Sequence, residues 1–439
     1  MNALERLAHA VASAVNDVPP ARIQGTVTEV TPTYCRAAGL SRFVGLGDSV
    51  TLGSGETAMA EVIRIDDGAA TVKPFDGRVS IGLGTPVTRL GPFAVAPHVS
   101  WRGRVVNALG APIDGAGPLA AGARAVPVDA PPPPAMRRAA VRQPVRTGVR
   151  VIDCFTPLCA GQRIGIFAGS GVGKSTLLGM LARSTGFDTV VVGLVGERGR
   201  EVREFLEHAL PDRAAVVTVV ATGDESPMMR RLAPKTSMTI AEHFRDLGHS
   251  VLLIIDSITR YAHAAREVAL AAGEPAVARG YAPSVFTDLP RLLERAGPGE
   301  EGSGTITGIF AVLVDGDDHN DPVADSTRGT LDGHVVLDRA IADQGRYPAV
   351  NVLASVSRLA QHVWTPDQGI AVQRLKACIA RFEDTRDLRL MGGYQAGSDP
   401  ELDQAVALVP KILAAITQAP TAPRSTDAFR ELAEALQGS

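Results

Sequence analysis

Between Arg22 and Gly91 short β-branched segments alternate with Gly, Asp and Pro turns: Gly25–Val30, Asp48–Leu52, Met59–Ile65, Ala70–Pro74 and Thr85–Leu90. This spacing predicts a small all-β barrel or sandwich. Ahead of it, Leu4, Leu7, Val11, Val15 and Val18 recur at helical spacing and stop at Pro19-Pro20, which predicts a helix over 1–20. Such a helix either packs on its own domain or stays exposed and docks a partner or a membrane surface. A terminal helix of about five turns is marginal alone and suits ordering on binding.

Beyond the barrel, the Gly/Pro-rich stretch Asn107 to Pro134 ends in Pro131–Pro134 and reads as a stiff, extended connection. From Thr147 to Val356 apolar strands alternate with helical stretches, the pattern of a mostly parallel sheet covered by helices. After Trp364 the chain reads as helical, with a turn near Gly392–Asp399 and a Pro-interrupted tail. The fold expected is therefore α/β, with an N-terminal helix over 1–20, a small β-barrel over 21–94, a central domain with a mostly parallel sheet over 95–364 and a helical domain over 365–439.

The candidate chemistry begins where Arg163-Ile-Gly-Ile-Phe167, a buried strand, runs into Ala168-Gly-Ser-Gly-Val-Gly-Lys-Ser175 and then the helical run Thr176 to Arg183. Strand, Gly-rich loop and helix in this order make a P-loop. Gly169, Gly171 and Gly173 let backbone N–H groups around Ser170 and Val172 converge on phosphate oxygens, and the helix start near Thr176 adds partial positive charge. Lys174 is expected to reach the β- and γ-phosphates, and the Ser175 hydroxyl to ligate Mg²⁺. Ala168 stands where the motif has its first glycine, at the strand end, where left-handed backbone is not required.

Val251-Leu-Leu-Ile-Ile-Asp256 is an apolar strand ending in a carboxylate, which a parallel sheet brings beside the P-loop and its Mg²⁺. Another strand, Val190 to Val195, enters Gly196-Glu-Arg-Gly-Arg-Glu201. Glu197 is the candidate for polarising the attacking water, Arg198 and Arg260 for neutralising charge on the transferred group, and Glu201 for holding a Mg²⁺-bound water. The same loop also reads as a solvated salt-bridge cluster, and spacing alone does not separate the two.

Charge and composition narrow the function classes. The 439 residues carry a net charge of −3, so no global basic field recruits nucleic acid or an anionic membrane. Between Ala21 and Gly91 seven Lys/Arg meet seven Asp/Glu, and Tyr34, Phe43 and Phe75 are the aromatics. That balance leaves no stacking or electrostatic surface for RNA, which argues against a ring-shaped RNA translocase. The longest apolar runs, such as Val251 to Ile255, are too short to span a bilayer, and no secretion signal is read at the N-terminus. Cys35, Cys154, Cys159 and Cys378 show no CxxC spacing and read as free thiols, and no His/Cys cluster has zinc spacing. A cytoplasmic protein is expected.

Several further motifs carry a family resemblance: Gly103-Arg-Val-Val-Asn-Ala-Leu-Gly110, Thr147-Gly-Val-Arg-Val-Ile-Asp153, Gly196-Glu-Arg-Gly-Arg-Glu-Val202, Asp256-Ser-Ile-Thr-Arg-Tyr261 and Pro348-Ala-Val-Asn-Val-Leu-Ala-Ser-Val-Ser357. With the P-loop, they make the chain resemble the flagellar and type III secretion export ATPases, relatives of the rotary ATP synthase catalytic subunit. The resemblance spans nearly the whole length and implies a RecA-like P-loop domain that hydrolyses MgATP. It makes Glu197 the carboxylate of the reaction, Arg198 and Arg260 phosphate contacts, and Glu201 a more distant acid. Tyr347 is similar to the aromatic residue that stacks on adenine. Arg358 is similar to the finger a neighbouring subunit inserts, which implies a homohexamer.

The resemblance further implies a regulator protein bound through residues 1–20, and export substrates and chaperones met by the C-terminal domain. It also implies peripheral association with an export gate at the cytoplasmic face of the inner membrane. The loop wordings favour export ATPases over synthase β subunits, and the P-loop wording favours the flagellar branch.

Overall fold

The computed structural model describes residues 3–5, 7–8, 11, 22–54, 57–77, 80–210, 214–314 and 321–437. At the N-terminus the described residues are helical, with Leu4, Leu7 and Val11 exposed. Val15, Val18 and the rest of the helix expected over 12–20 lie outside the described residues. The chain divides into two compact units, Met1–Phe93 with Val268–Glu274, and Ala94–Glu267 with Pro275–Ser439.

In the first unit six antiparallel strands close into a barrel. Around it they run Gln24–Val30, Cys35–Ala38, Ala69–Pro74, Ala58–Asp66, Asp48–Leu52 and Pro86–Pro92, which returns to the first. Closure resolves the choice between barrel and sandwich and leaves no open sheet edge. Val27, Ala37, Val50, Val62, Val72 and Val87 fill the interior. Extra residues in the Gln24–Val30, Ala58–Asp66 and Pro86–Pro92 strands shift the register and supply the bends a small barrel needs. Cys35–Ala38 is a strand the periodicity did not predict, because its four residues carry no β-branched side chain.

The second unit is built on a nine-stranded sheet. Its order is Val356–Ser357, Gly333–Leu337, Arg163–Ala168, Thr305–Leu313, Ser250–Asp256, Thr189–Val195, Val216–Ala221 and Val105–Asn107, with Gly297–Pro298 pairing Thr305–Leu313. From Gly333–Leu337 to Val105–Asn107 every pairing along this path is parallel. All seven residues of Thr189–Val195 and all six of Val216–Ala221 are buried, as expected where helices cover both faces. Parallel pairing brings the carboxyl ends of the strands to one edge: Ala168 lies beside Leu313 and Leu337, and Leu194 beside Asp256.

The Asn107–Pro134 stretch, expected as a stiff connection, is pinned along its length. Its first residue ends the outermost sheet strand. Asp114 accepts two hydrogen bonds from the Arg104 guanidinium, at 2.7 and 2.9 Å. The Arg295 guanidinium donates to the Val128 carbonyl while making a paired, buried contact with Glu242 at 2.9 and 2.7 Å and a third with Thr239 at 3.0 Å.

The C-terminal helices Pro366–Asp384, Pro400–Ile416 and Ala428–Gln437 bury Val372, Ile379, Ala405, Val409, Ile412 and Leu432 in the same apolar cluster as the sheet. Thr365 and Gln368 cap the first of them reciprocally.

Because Glu242 is buried against Arg295, removing one partner strands a charge, at a cost of about 3–5 kcal/mol. Arg295→Met should therefore lower the thermal midpoint by several degrees, and Arg295→Met with Glu242→Leu should recover most of it. A single variant as stable as the wild type in calorimetry would show that the pair does not anchor the connection.

Candidate active site

The loop between the Arg163–Ala168 strand and the Lys174–Ala182 helix owes its path to two glycines. Gly171 (φ 78°) and Gly173 (φ 93°) occupy left-handed backbone that a side chain disfavours, and Gly173 is the N-cap of the helix. Ala168 is the last strand residue, buried and paired on both sides, so its methyl group meets no conformational demand. Gly169 shows no left-handed backbone. Ser170, Ser175 and Thr176 are exposed at the loop and the first helical turn, whereas Val172 is buried.

Lys174 opens the helix and turns inward, its side chain 10% exposed. Its ammonium is hydrogen-bonded to Asp256 Oδ1 and lies 3.4 Å from Glu197 Oε1. Asp256 ends the Ser250–Asp256 strand, and Glu197 stands two residues past the end of Thr189–Val195, the neighbouring strand. Three segments distant in sequence thus deliver one cation and two carboxylates to the carboxyl edge of the sheet.

The electrostatics of the three groups are unequal. Burial opposes the charge on Lys174, but Asp256 and then Glu197 outweigh it and raise its pKa above the ordinary lysine value. Burial pushes the Glu197 carboxyl up to about 7; Lys174 pulls it down, while Asp256 and Glu201 push it further up. A carboxyl poised near neutrality beside an ionised partner is suited to accepting a proton.

The arginines stand outside this cluster. A Cβ at Gly196 would meet the Arg260 stem at 2.9 Å, so Arg260 lies over the turn that precedes Glu197, with the residue itself exposed. Arg198 is exposed and pairs with Glu201 at 3.6 Å. Arg358 is exposed just past the edge strand Val356–Ser357, with four strands between that strand and the one leading to Glu197. Within one chain Arg358 does not join the cluster. Tyr347 does approach the loop: a Cβ at Gly173 would sit 3.4 Å from its ring.

Sequence reasoning missed Gln418. Its backbone N–H donates to the Tyr347 carbonyl at 2.9 Å, and its buried amide accepts from Arg150 N and donates to the Gly148 carbonyl, both at 3.0 Å. It ties the start of the C-terminal tail to the segment carrying Tyr347. A lone glutamine after a helix gives no sequence signal of such a position.

Comparison with known proteins adds to this geometry. Residues 148–357 match the ATP synthase alpha/beta family nucleotide-binding domain, and residues 364–435 match the T3SS EscN ATPase C-terminal domain. The chain is 58% identical over 416 residues to the flagellum-specific ATP synthase of Agrobacterium fabrum, covering 94% of this chain and 88% of that protein. It is similar in structure to the assembled ATPase EscN of the enteropathogenic E. coli type III secretion system, with a TM-score of 0.87 and 38% identity over 94% of this chain and 99% of that one. The same ATPase in complex with its central stalk EscO matches with a TM-score of 0.85 and 37% identity, over 94% of this chain and 100% of that one.

The raised pKa of Glu197 has a stability consequence. Burial favours its protonated form, so its contribution is fully present below the ordinary carboxyl value and is lost as pH rises through about 7. In the nucleotide-free protein Glu197→Gln should therefore raise the thermal midpoint above pH 7, and this gain should shrink as pH falls from 7 towards 5. A gain independent of pH would mean that the Glu197 carboxyl does not titrate in this range.

Proposed function

The chain belongs to the ATP synthase alpha/beta family, among the flagellar and type III secretion export ATPases, and on that premise we propose a residue-level account of how it hydrolyses MgATP. The observation that carries the account is the Lys174 ammonium held between Asp256 and Glu197 at the start of the P-loop helix.

The backbone amides from Gly169 to Lys174 and the Lys174 ammonium take the β- and γ-phosphates. The Ser175 hydroxyl and the Asp256 carboxylate, with Glu201 acting through a bound water, form the all-oxygen donor set that suits Mg²⁺. When bound there, the metal would offset the negative charge of the phosphates. Glu197 orients the attacking water and accepts its proton, which its near-neutral pKa favours. Arg260 and Arg198, at the mouth of the site, neutralise charge on the departing γ-phosphoryl group. Tyr347 stacks on the adenine; its place against Gly173 supports this role.

The protein works as a homo-oligomer, and the exposure of Arg358 away from its own cluster supports its insertion into a neighbour's site, in a hexameric ring. Residues 1–20, with Leu4, Leu7 and Val11 exposed, take a regulator protein. Residues 365–439 meet export substrates and chaperones, so that ATP turnover drives their release into a flagellar export gate at the inner membrane. No described helix is long and apolar enough to cross that membrane, which fits peripheral association at its cytoplasmic face. The 58% identity to a flagellum-specific relative favours the flagellar branch over the virulence branch.

Glu197→Gln should lower the hydrolysis rate at least about 100-fold while nucleotide binding survives; loss of binding in a fluorescent-ATP titration would refute its assigned role. Arg358→Ala should abolish turnover alone, yet rings mixed from Arg358→Ala and Lys174→Ala chains should regain activity, since some interfaces then carry both an intact loop and an intact finger. Mixed rings as inactive as their parents would count against a finger in trans.

A further inference from the structure

The P-loop has a second support that the account above leaves out. The Gly333–Leu337 strand runs parallel to the P-loop strand with Leu337 beside Ala168. Ser170 and Arg339 each follow two residues later, so the register brings both to the same level beyond the sheet edge. There Arg339 Nη2 donates to the Ser170 carbonyl at 2.9 Å. Among the described residues no carboxylate pairs with Arg339.

The segment that follows closes on itself. The Asp338 side chain caps the Arg339–Asp343 helix through Ala340 N at 2.8 Å. Asp338 N donates to the Ala349 carbonyl at 2.9 Å, and Asn351 Nδ2 donates to Asp338 Oδ2 at 3.1 Å. From this closed loop Tyr347 meets Gly173, at the far end of the same P-loop. One rigid segment therefore touches the phosphate loop at both ends, by a guanidinium at Ser170 and by an aromatic ring at Gly173.

We propose that Arg339 is a positioning residue that fixes the P-loop for polyphosphate. In a planar trans peptide the carbonyl and the next N–H point to opposite sides. Holding the Ser170 carbonyl outward therefore aims the Gly171 N–H at the phosphate side of the loop. The guanidinium also adds positive charge beside an incoming triphosphate. This inference rests on the P-loop reading above and separates two duties: Arg339 serves the phosphates, and Tyr347 serves the base.

The test compares binding of MgATP and of inorganic tripolyphosphate, the latter by competition against a fluorescent ATP analogue. Arg339→Ala should weaken both ligands by the same factor, about three- to tenfold for an exposed charge-assisted bond, and Arg339→Lys should recover part of it. Tyr347→Ala should weaken MgATP while leaving tripolyphosphate unchanged. Thermal midpoints accompany each variant, and Arg339→Gln carries the test if the alanine variant loses its fold. Wild-type affinity for tripolyphosphate in a folded Arg339 variant overturns the proposal, as does a loss confined to MgATP. A wild-type protein that binds neither ligand would instead overturn the nucleotide-site reading itself.

Discussion

Everything in the site depends on one buried ammonium. Lys174 sits at the start of a helix, under a loop of bare amides, with the Asp256 carboxyl group in contact and that of Glu197 at 3.4 Å. A lysine in that position is charged only because acids surround it, and the acids are tolerable at that depth only because the lysine is there. Parallel register makes the mutual arrangement possible. Leu194 pairs with Asp256, and Ala168 lies beside strands that end at the same level, so three sequence-distant segments arrive together without any of them bending toward the others.

How much of this was legible in the chain follows from how local each feature is. The P-loop could be read because strand, glycines, lysine and helix lie within some twenty consecutive residues and each has its own physical signature. Asp256 could be read as a candidate because it ends an apolar strand of a parallel sheet that also carries the P-loop, whereas Glu197 needed the family resemblance to separate it from a solvated salt-bridge cluster. The Cys35–Ala38 strand could not, since four small or polar residues carry no period, and the barrel's closure alone makes them a strand. The pinned course of residues 107–134 was equally silent, because Arg295, more than 160 residues away, supplies the bond to Val128.

Arg339 and Gln418 belong to the same silent class. Neither occupies a recognisable motif, and each acts through a backbone carbonyl, so the partner's side chain leaves no trace in the sequence. Together they give the segment from Asp338 to Asn351 contacts in two directions, towards the phosphate loop and towards the C-terminal helices. Hydrogen bonds and one ring contact thus link Ser170 and Gly173, by way of the Tyr347 segment and Gln418, to the start of the C-terminal tail.

The charge balance of the cluster bears on the proposal that the reaction site is completed from a second chain. One lysine faces two carboxyl groups, that of Glu197 poised near neutrality, so the interior carries no surplus of positive charge for a nucleotide bearing several negative ones. The deficit has to be met from outside the cluster. The oxygen donors Ser175, Asp256 and Glu201 are of the kind that holds a divalent cation, and the arginines near the mouth are exposed rather than committed to the interior. Arg358, at the opposite edge of the sheet, is too far along the strand order to help its own Glu197. An arginine exposed and apart from the cluster of its own chain is one that the proposed ring would place at the boundary between two copies. In that proposed arrangement it would add positive charge to a neighbour's site on contact, which would tie turnover to assembly.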